Sequence, residues 1–143
     1  PPWLIKLTSD IEALLDLPEW SLIGCNANKY SASSHGLQWH GDDEPMFRKS
    51  QNDRDTLIVS LSFGASRGFA FRKKNFSDET PITLAHGDIL AMTGSTQDEY
   101  QHCVKPNASD SASSSSSTRS SVTRFNLTWR LIRKHESHCE MCN

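Results

Sequence analysis

Arg124-Phe125-Asn126-Leu127-Thr128-Trp129-Arg130-Leu131 alternates without a break. Successive side chains of an extended chain point to opposite faces. Phe125, Leu127, Trp129 and Leu131 therefore share one face, and Arg124, Asn126, Thr128 and Arg130 share the other. Thr56–Phe63 repeats the pattern, with Leu57, Val59, Leu61 and Phe63 on one side and Ile58, Ser60 and Ser62 on the other. Ser21–Tyr30, Gly68–Arg72, Ile82–Leu84, Ile89–Met92 and Gln101–Val104 read as further short strands, and Thr123–Ile132 as the last. Gly64, Gly68, Pro81, Gly87 and Gly94 punctuate them. Short strands separated by glycine turns predict a mainly β chain, a β-sandwich or jelly roll.

Only the N-terminus reads as helix. Ser9-Asp10-Ile11-Glu12 fits a capping box, Ile11, Leu14 and Leu15 give an apolar face, and Pro18 stops it. That predicts one short helix, from Asp10 to about Leu17. Residues 107–121, NASDSASSSSSTRSS, hold no run to bury and read as a solvated, disordered loop between two strands. The tail from about 134 to 143 reads as loose. Its His135, His138, Cys139 and Cys142 form a candidate zinc set, against a frayed end.

At 143 residues the chain fits a single domain, 1–143. Its formal net charge of -2 announces no overall basic field, although a local basic stripe stays open. No apolar run is long enough for a bilayer, and no signal-peptide pattern is present, so no membrane partner is expected. Cys25 and Cys103 stand alone in apolar segments and Cys139 and Cys142 form a CxxC, which is not the framework of a small disulfide protein. An intracellular, monomeric protein is expected. The chain opens on Pro1-Pro2-Trp3, which fits a piece of something longer.

The candidate chemistry begins at His40-Gly41-Asp42. In an extended segment an imidazole and a carboxylate two residues apart face one side. His102, on another predicted strand, would complete two histidines and a carboxylate, the facial set of non-haem Fe(II) oxygenases. HxD alone is weak, because His86-Gly87-Asp88 repeats it. Context separates the two. His86–Asp88 reads as a turn whose Asp88 bonds backbone. Asp42-Asp43-Glu44 is a run of acids that a divalent cation would relieve. On the last strand, Arg124 and Arg130 lie roughly 20 Å apart at about 3.3 Å per residue. Side chains leaning inward would leave room for a small dicarboxylate. A half-exposed strand with a solvated polar face fits the pattern equally well.

Arg67, Arg72, Lys73 and Lys74 cluster around a predicted hairpin, as phosphate contacts or as a solvated edge. Trp39 is a base-stacking platform or a packing residue.

Taken together, Asn28-Lys29-Tyr30, Trp39-His40-Gly41-Asp42-Asp43-Glu44, Ser60-Leu61-Ser62-Phe63-Gly64, Phe69-Ala70-Phe71-Arg72, His86-Gly87-Asp88, Tyr100-Gln101-His102 and the Arg124–Arg130 strand resemble, in order, the AlkB family of Fe(II)/2-oxoglutarate-dependent dioxygenases. The resemblance spans about Cys25 to Arg133. It implies a double-stranded β-helix, a jelly roll, with Fe(II), 2-oxoglutarate as co-substrate, and O2. His40, Asp42 and His102 map to the catalytic iron ligands. Arg124 maps to the arginine that pairs with the distal carboxylate of 2-oxoglutarate, and Asn28, Tyr30, Asn126 and Arg130 to other co-substrate contacts. Glu44 maps to a base-recognition position, and Trp39 and Arg72 join it as candidate substrate contacts. The implied activity is oxidative demethylation of N-alkylated bases in DNA or RNA, single-stranded or flipped out. The alternatives are a dioxygenase acting on protein or lipid and an inactive jelly roll that binds nucleic acid. Family members that repair nucleic acid have a long N-terminal lid over the base. Here about 27 residues precede Asn28, so either the lid lies on a missing part of the chain or substrate is gripped differently.

Overall fold

The computed structural model describes residues 1–22, 24–31, 35–44, 56–106 and 123–131. The serine-rich segment and the Cys/His tail, with its candidate zinc set, lie outside them. The elements in order are α1 (Pro2–Leu14), β1 (Gly24–Tyr30), β2 (Leu37–His40), β3 (Thr56–Gly64), β4 (Arg67–Lys73), β5 (Glu79–Leu84), β6 (Ile89–Gly94), α2 (Thr96–Glu99), β7 (Tyr100–Val104) and β8 (Arg124–Arg130).

The strands form two four-stranded antiparallel sheets, ordered β1-β8-β3-β6 and β2-β7-β4-β5. This is a jelly roll with a short N-terminal helix. β3 and β8 are central in the first sheet, and their two faces serve different cores. On the outer face Val59, Leu61, Leu127 and Trp129 pack against Ile11 and Leu22, with Leu4, Leu7 and Leu15 joining from the helix side. Trp129 is fully buried, and its Nε1–H donates to Thr8 Oγ1 at 2.9 Å. Between the sheets, Ile58 packs with Tyr30, Phe69, Leu84, Met92 and Val104.

The helix differs from the sequence-based expectation. It starts at Pro2, not Asp10, because proline at the first helical position forgoes an N–H that has no helical partner anyway. Ser9 and Glu12 therefore sit inside it, and no capping box forms. Instead the buried Glu12 carboxylate accepts the backbone N–H groups of Trp20 at 3.2 Å and Leu22 at 2.8 Å. This pins the segment that leads from the helix into β1.

The β3–β4 turn requires a glycine. Gly64 has a φ of 83°, and a Cβ there would run into the carbonyl oxygen of Thr123. That close approach lets Ala65 N–H bond to Thr123 O at 3.0 Å and fixes the start of β8 beside the turn. His86–Asp88 is a turn as expected. Asp88 Oδ2 accepts Ala85 N–H at 2.7 Å, and His86 Nδ1 accepts Gly64 N–H at 3.0 Å.

Candidate metal centre

β8 sends its polar side chains inward, between the sheets. Arg124, Asn126 and Thr128 are buried rather than solvated. Their partners are small polar residues on the neighbouring β3. Arg124 Nη2 donates to Ser62 Oγ at 2.9 Å and Asn126 Nδ2 to Ser60 Oγ at 2.6 Å, while Thr128 Oγ1 donates to Asn126 Oδ1 at 2.7 Å. The half-exposed alternative is thus excluded. The lumen is lined by a hydrogen-bonded polar ladder facing an apolar wall.

At one end of the ladder, His40, Asp42 and His102 offer donor atoms that all lie within 4.8 Å of one another. His40 ends β2 and faces His102 across the β2–β7 pairing, with ring centroids 4.2 Å apart. His40 Nδ1 lies 2.8 Å from the carbonyl oxygen of Gln38, which can only accept, so Nε2 is the ring nitrogen left to face a metal. His40 Nε2 is 3.9 Å from Asp42 Oδ1. His102 stacks on Phe69 at 5.5 Å and 13°. Burial, first, and His40 beside it push the His102 pKa down to about 4, with Asp42 opposing and Arg130 adding a little. The ring is therefore neutral, the form a metal takes.

Asp42 lies beyond the end of β2, so one extended segment does not align it with His40 as expected. Its carboxylate is held by Arg130, whose Nε and Nη2 reach Oδ2 at 3.1 and 2.8 Å. Asp43 pairs with Lys74 at 3.0 Å. The acidic run therefore has cationic partners, contrary to the expectation of uncompensated repulsion. Glu44 is exposed on the same loop.

At the other end of the ladder, the Arg124 guanidinium sits 5.2 Å over the Tyr30 ring. Its Nε and Nη1 are buried with no hydrogen-bond partner. Burial lowers the Arg124 pKa; Tyr30 opposes and Arg67 reinforces the shift. Arg67 is itself buried, with 1% of its surface exposed. It does not belong to a solvated or phosphate-facing cluster, because it starts β4 with its side chain on the lumen face shared with Phe69. Asn28 is placed opposite Asn126 in the β1–β8 register and lines, with Tyr30 and Trp39, a groove of about 780 Å³ between the β1 and β2 edges. The Trp39 ring carries Arg72 at 4.4 Å and Lys105 at 4.9 Å. Arg72 is further held by Gln101 Oε1 at 3.1 and 2.9 Å.

The structure thus brings His40, Asp42, His102 and Arg130 to one end and Arg124 and Tyr30 to the other. Sequence reasoning missed Ser60 and Ser62, whose signal was two small polar residues on the inward face of β3. It also missed Phe69 beneath His102, and Gln97, which in Thr96-Gln97-Asp98-Glu99 looks like a solvated turn yet is fully buried.

The donor set suits Fe(II), being two imidazoles and a carboxylate, and the two unpaired guanidinium nitrogens of Arg124 suit an anionic oxygen ligand. A family model described as 2OG-Fe(II) oxygenase superfamily matches residues 1–130. The chain belongs to that superfamily. It is 33% identical over 140 residues to the Bos taurus alpha-ketoglutarate-dependent dioxygenase alkB homolog 3, covering 92% of this chain and 43% of that one. Over 128 residues it is 29% identical to the Arabidopsis thaliana DNA oxidative demethylase ALKBH2, covering 73% of this chain and 36% of that one. The chain therefore spans less than half the length of these curated relatives. Among solved structures, that of OsALKBH1 superposes with a TM-score of 0.64 at 25% identity, covering 91% of this chain and 65% of the other. No described helix is long and apolar enough to cross a membrane.

Proposed function

We propose that this chain is the catalytic domain of an Fe(II)- and 2-oxoglutarate-dependent dioxygenase that oxidatively removes alkyl groups from nucleic acid bases. The observation that carries it is one lumen with a two-histidine, one-carboxylate donor set at one end of β8 and a buried, incompletely bonded arginine at the other.

His40, Asp42 and His102 would hold Fe(II), leaving coordination positions open. When bound, the metal and 2-oxoglutarate supply the O2-dependent oxidation; the protein supplies binding and orientation. His102 needs no deprotonation at neutral pH to bind, because burial already keeps it neutral. Phe69 closes one face of its ring and keeps water from it. Arg130 holds the Asp42 carboxylate in place and, with Asn28, Tyr30 and Asn126, would line the co-substrate site. Arg124 would take the distal carboxylate of 2-oxoglutarate, giving a partner to a donor that is costly to leave unpaired in a buried site.

The nucleic acid part rests on the relatives' names and on the groove beside Trp39. Trp39, with its flanking Arg72, would receive a base and a neighbouring phosphate, and Glu44, exposed past Asp42, would contact the base edge. A single-stranded or flipped base suits such an open site. The test is formaldehyde and succinate release from methylated DNA and RNA oligonucleotides. Both products are expected in equal amounts with the chain and neither with Asp42→Ala; succinate without formaldehyde on every oligonucleotide would move the substrate to another class.

A further inference from the structure

β2 stops at His40, so its pleat does not set the direction of Asp42. Something outside the strand must fix the backbone there, or the carboxylate would not share a point with two imidazoles. Arg130 holds the carboxylate; the backbone is held by Gln97. This side chain is fully buried, and its Oε1 accepts the Asp42 N–H at 3.0 Å. Its Nε2 rests 3.6 Å from Met92 Sδ in the inter-sheet core, so the amide is anchored at both ends.

A second contact comes from the same residue. A Cβ placed on Gly41 would sit 3.3 Å from the Gln97 carbonyl oxygen and 3.6 Å from that of Tyr100. The Gly41–Asp42 backbone therefore lies directly on the turn formed by α2 and the start of β7. That turn runs straight into His102. One short segment thus carries one histidine and clamps the loop that bears the carboxylate.

We propose that Gln97 is a positioning residue for the metal centre: it fixes the Asp42 backbone, and so the carboxylate, against His40 and His102. The inference rests on the reading of those three residues as metal ligands. Glutamine suits the task because it accepts an N–H without placing a second negative charge beside the Asp42 carboxylate. Asparagine is one methylene too short to span the same gap, and methionine fills the space but leaves the Asp42 N–H unsatisfied. Residues that orient a metal ligand without touching the metal typically change affinity about 10–100-fold when lost.

The test is titration of the metal-free 143-residue chain with Co(II), followed by its visible ligand-field absorption. Gln97→Met is expected to bind one equivalent about 10–100-fold more weakly than the unaltered chain, with a shifted band, because the ligand geometry changes. Gly41→Ala, whose added methyl crowds the same turn at the Gln97 carbonyl, is expected to shift the band as well. Circular dichroism reports the folded fraction of each. Overturning results are Co(II) affinity in Gln97→Met within about twofold of the unaltered chain, or a loss of binding equivalents that tracks the folded fraction while the remaining sites keep the original affinity and band. If the unaltered chain binds no Co(II), or His102→Ala binds it equally well, the metal-ligand reading itself fails and takes this inference with it.

Discussion

Arg124 concentrates the co-substrate reading in one side chain. A buried guanidinium with two unpaired nitrogens carries an unmet requirement for an acceptor, and a carboxylate meets part of it with a charge-assisted bond. Hydrogen bonds to charged groups contribute about 1.5–3 kcal/mol, so Arg124→Met should weaken 2-oxoglutarate binding by about 10–100-fold in calorimetry. Arg124→Lys should recover only part of it, since an ammonium lacks the planar fork. Equal affinity in all three proteins would place the distal carboxylate elsewhere.

His102 makes a second residue-scale prediction. Its folded pKa of about 4 lies below the ordinary 6.5, chiefly because burial disfavours the charged ring. Between those values the unfolded chain takes up a proton that the folded chain refuses. The metal-free protein therefore keeps its full stability above about pH 6.5 and loses some as the pH falls toward 4. The melting temperature should drop across that window, and His102→Gln should show a shallower drop; identical pH profiles would mean the ring is not held neutral.

At the scale of elements, the strands were readable because alternating residue types write a strand's two faces into the sequence. β8 and β3 alternate, and the alternation matched real faces. Its meaning was less accessible: Arg124, Asn126 and Thr128 look solvated in sequence, and only the Ser60 and Ser62 hydroxyls across the sheet show that they are enclosed. The helix was recognised by its apolar spacing but misplaced at its start, because a capping-box pattern outweighed a proline that the first turn accepts. α2 was invisible for a related reason: four polar residues read as solvent-facing, whereas one of them, Gln97, turns inward. The outer core also yields a prediction. Ile11 is 2% exposed and joins α1 to the β3–β8 face. Ile11→Ala should cost about 2–5 kcal/mol in urea unfolding, the range for a buried aliphatic truncation. A change below about 1 kcal/mol would show that the helix packs loosely on the sheet.

For the whole molecule, charge limits how a nucleic acid substrate would be held. The net charge is -2, and two lysines near the site are already engaged, Lys74 with Asp43 and Lys105 with Glu79. Few cations remain for phosphates among the described residues, so recognition should lean on the Trp39–Arg72 pair and the pocket. Three phosphate contacts on a single strand would give log K against log salt a slope of about -2. A slope steeper than about -5 would point to a broad basic track instead.

The two ends of the lumen meet in one claim, that metal and dicarboxylate bind together between the sheets. The most direct measurement is anaerobic calorimetric titration of the chain with Fe(II) and then 2-oxoglutarate. One equivalent of each is expected, with metal binding abolished in His102→Ala and 2-oxoglutarate binding weakened in Arg124→Met. Failure of the unaltered chain to bind either ligand, or binding unchanged in His102→Ala, would contradict it.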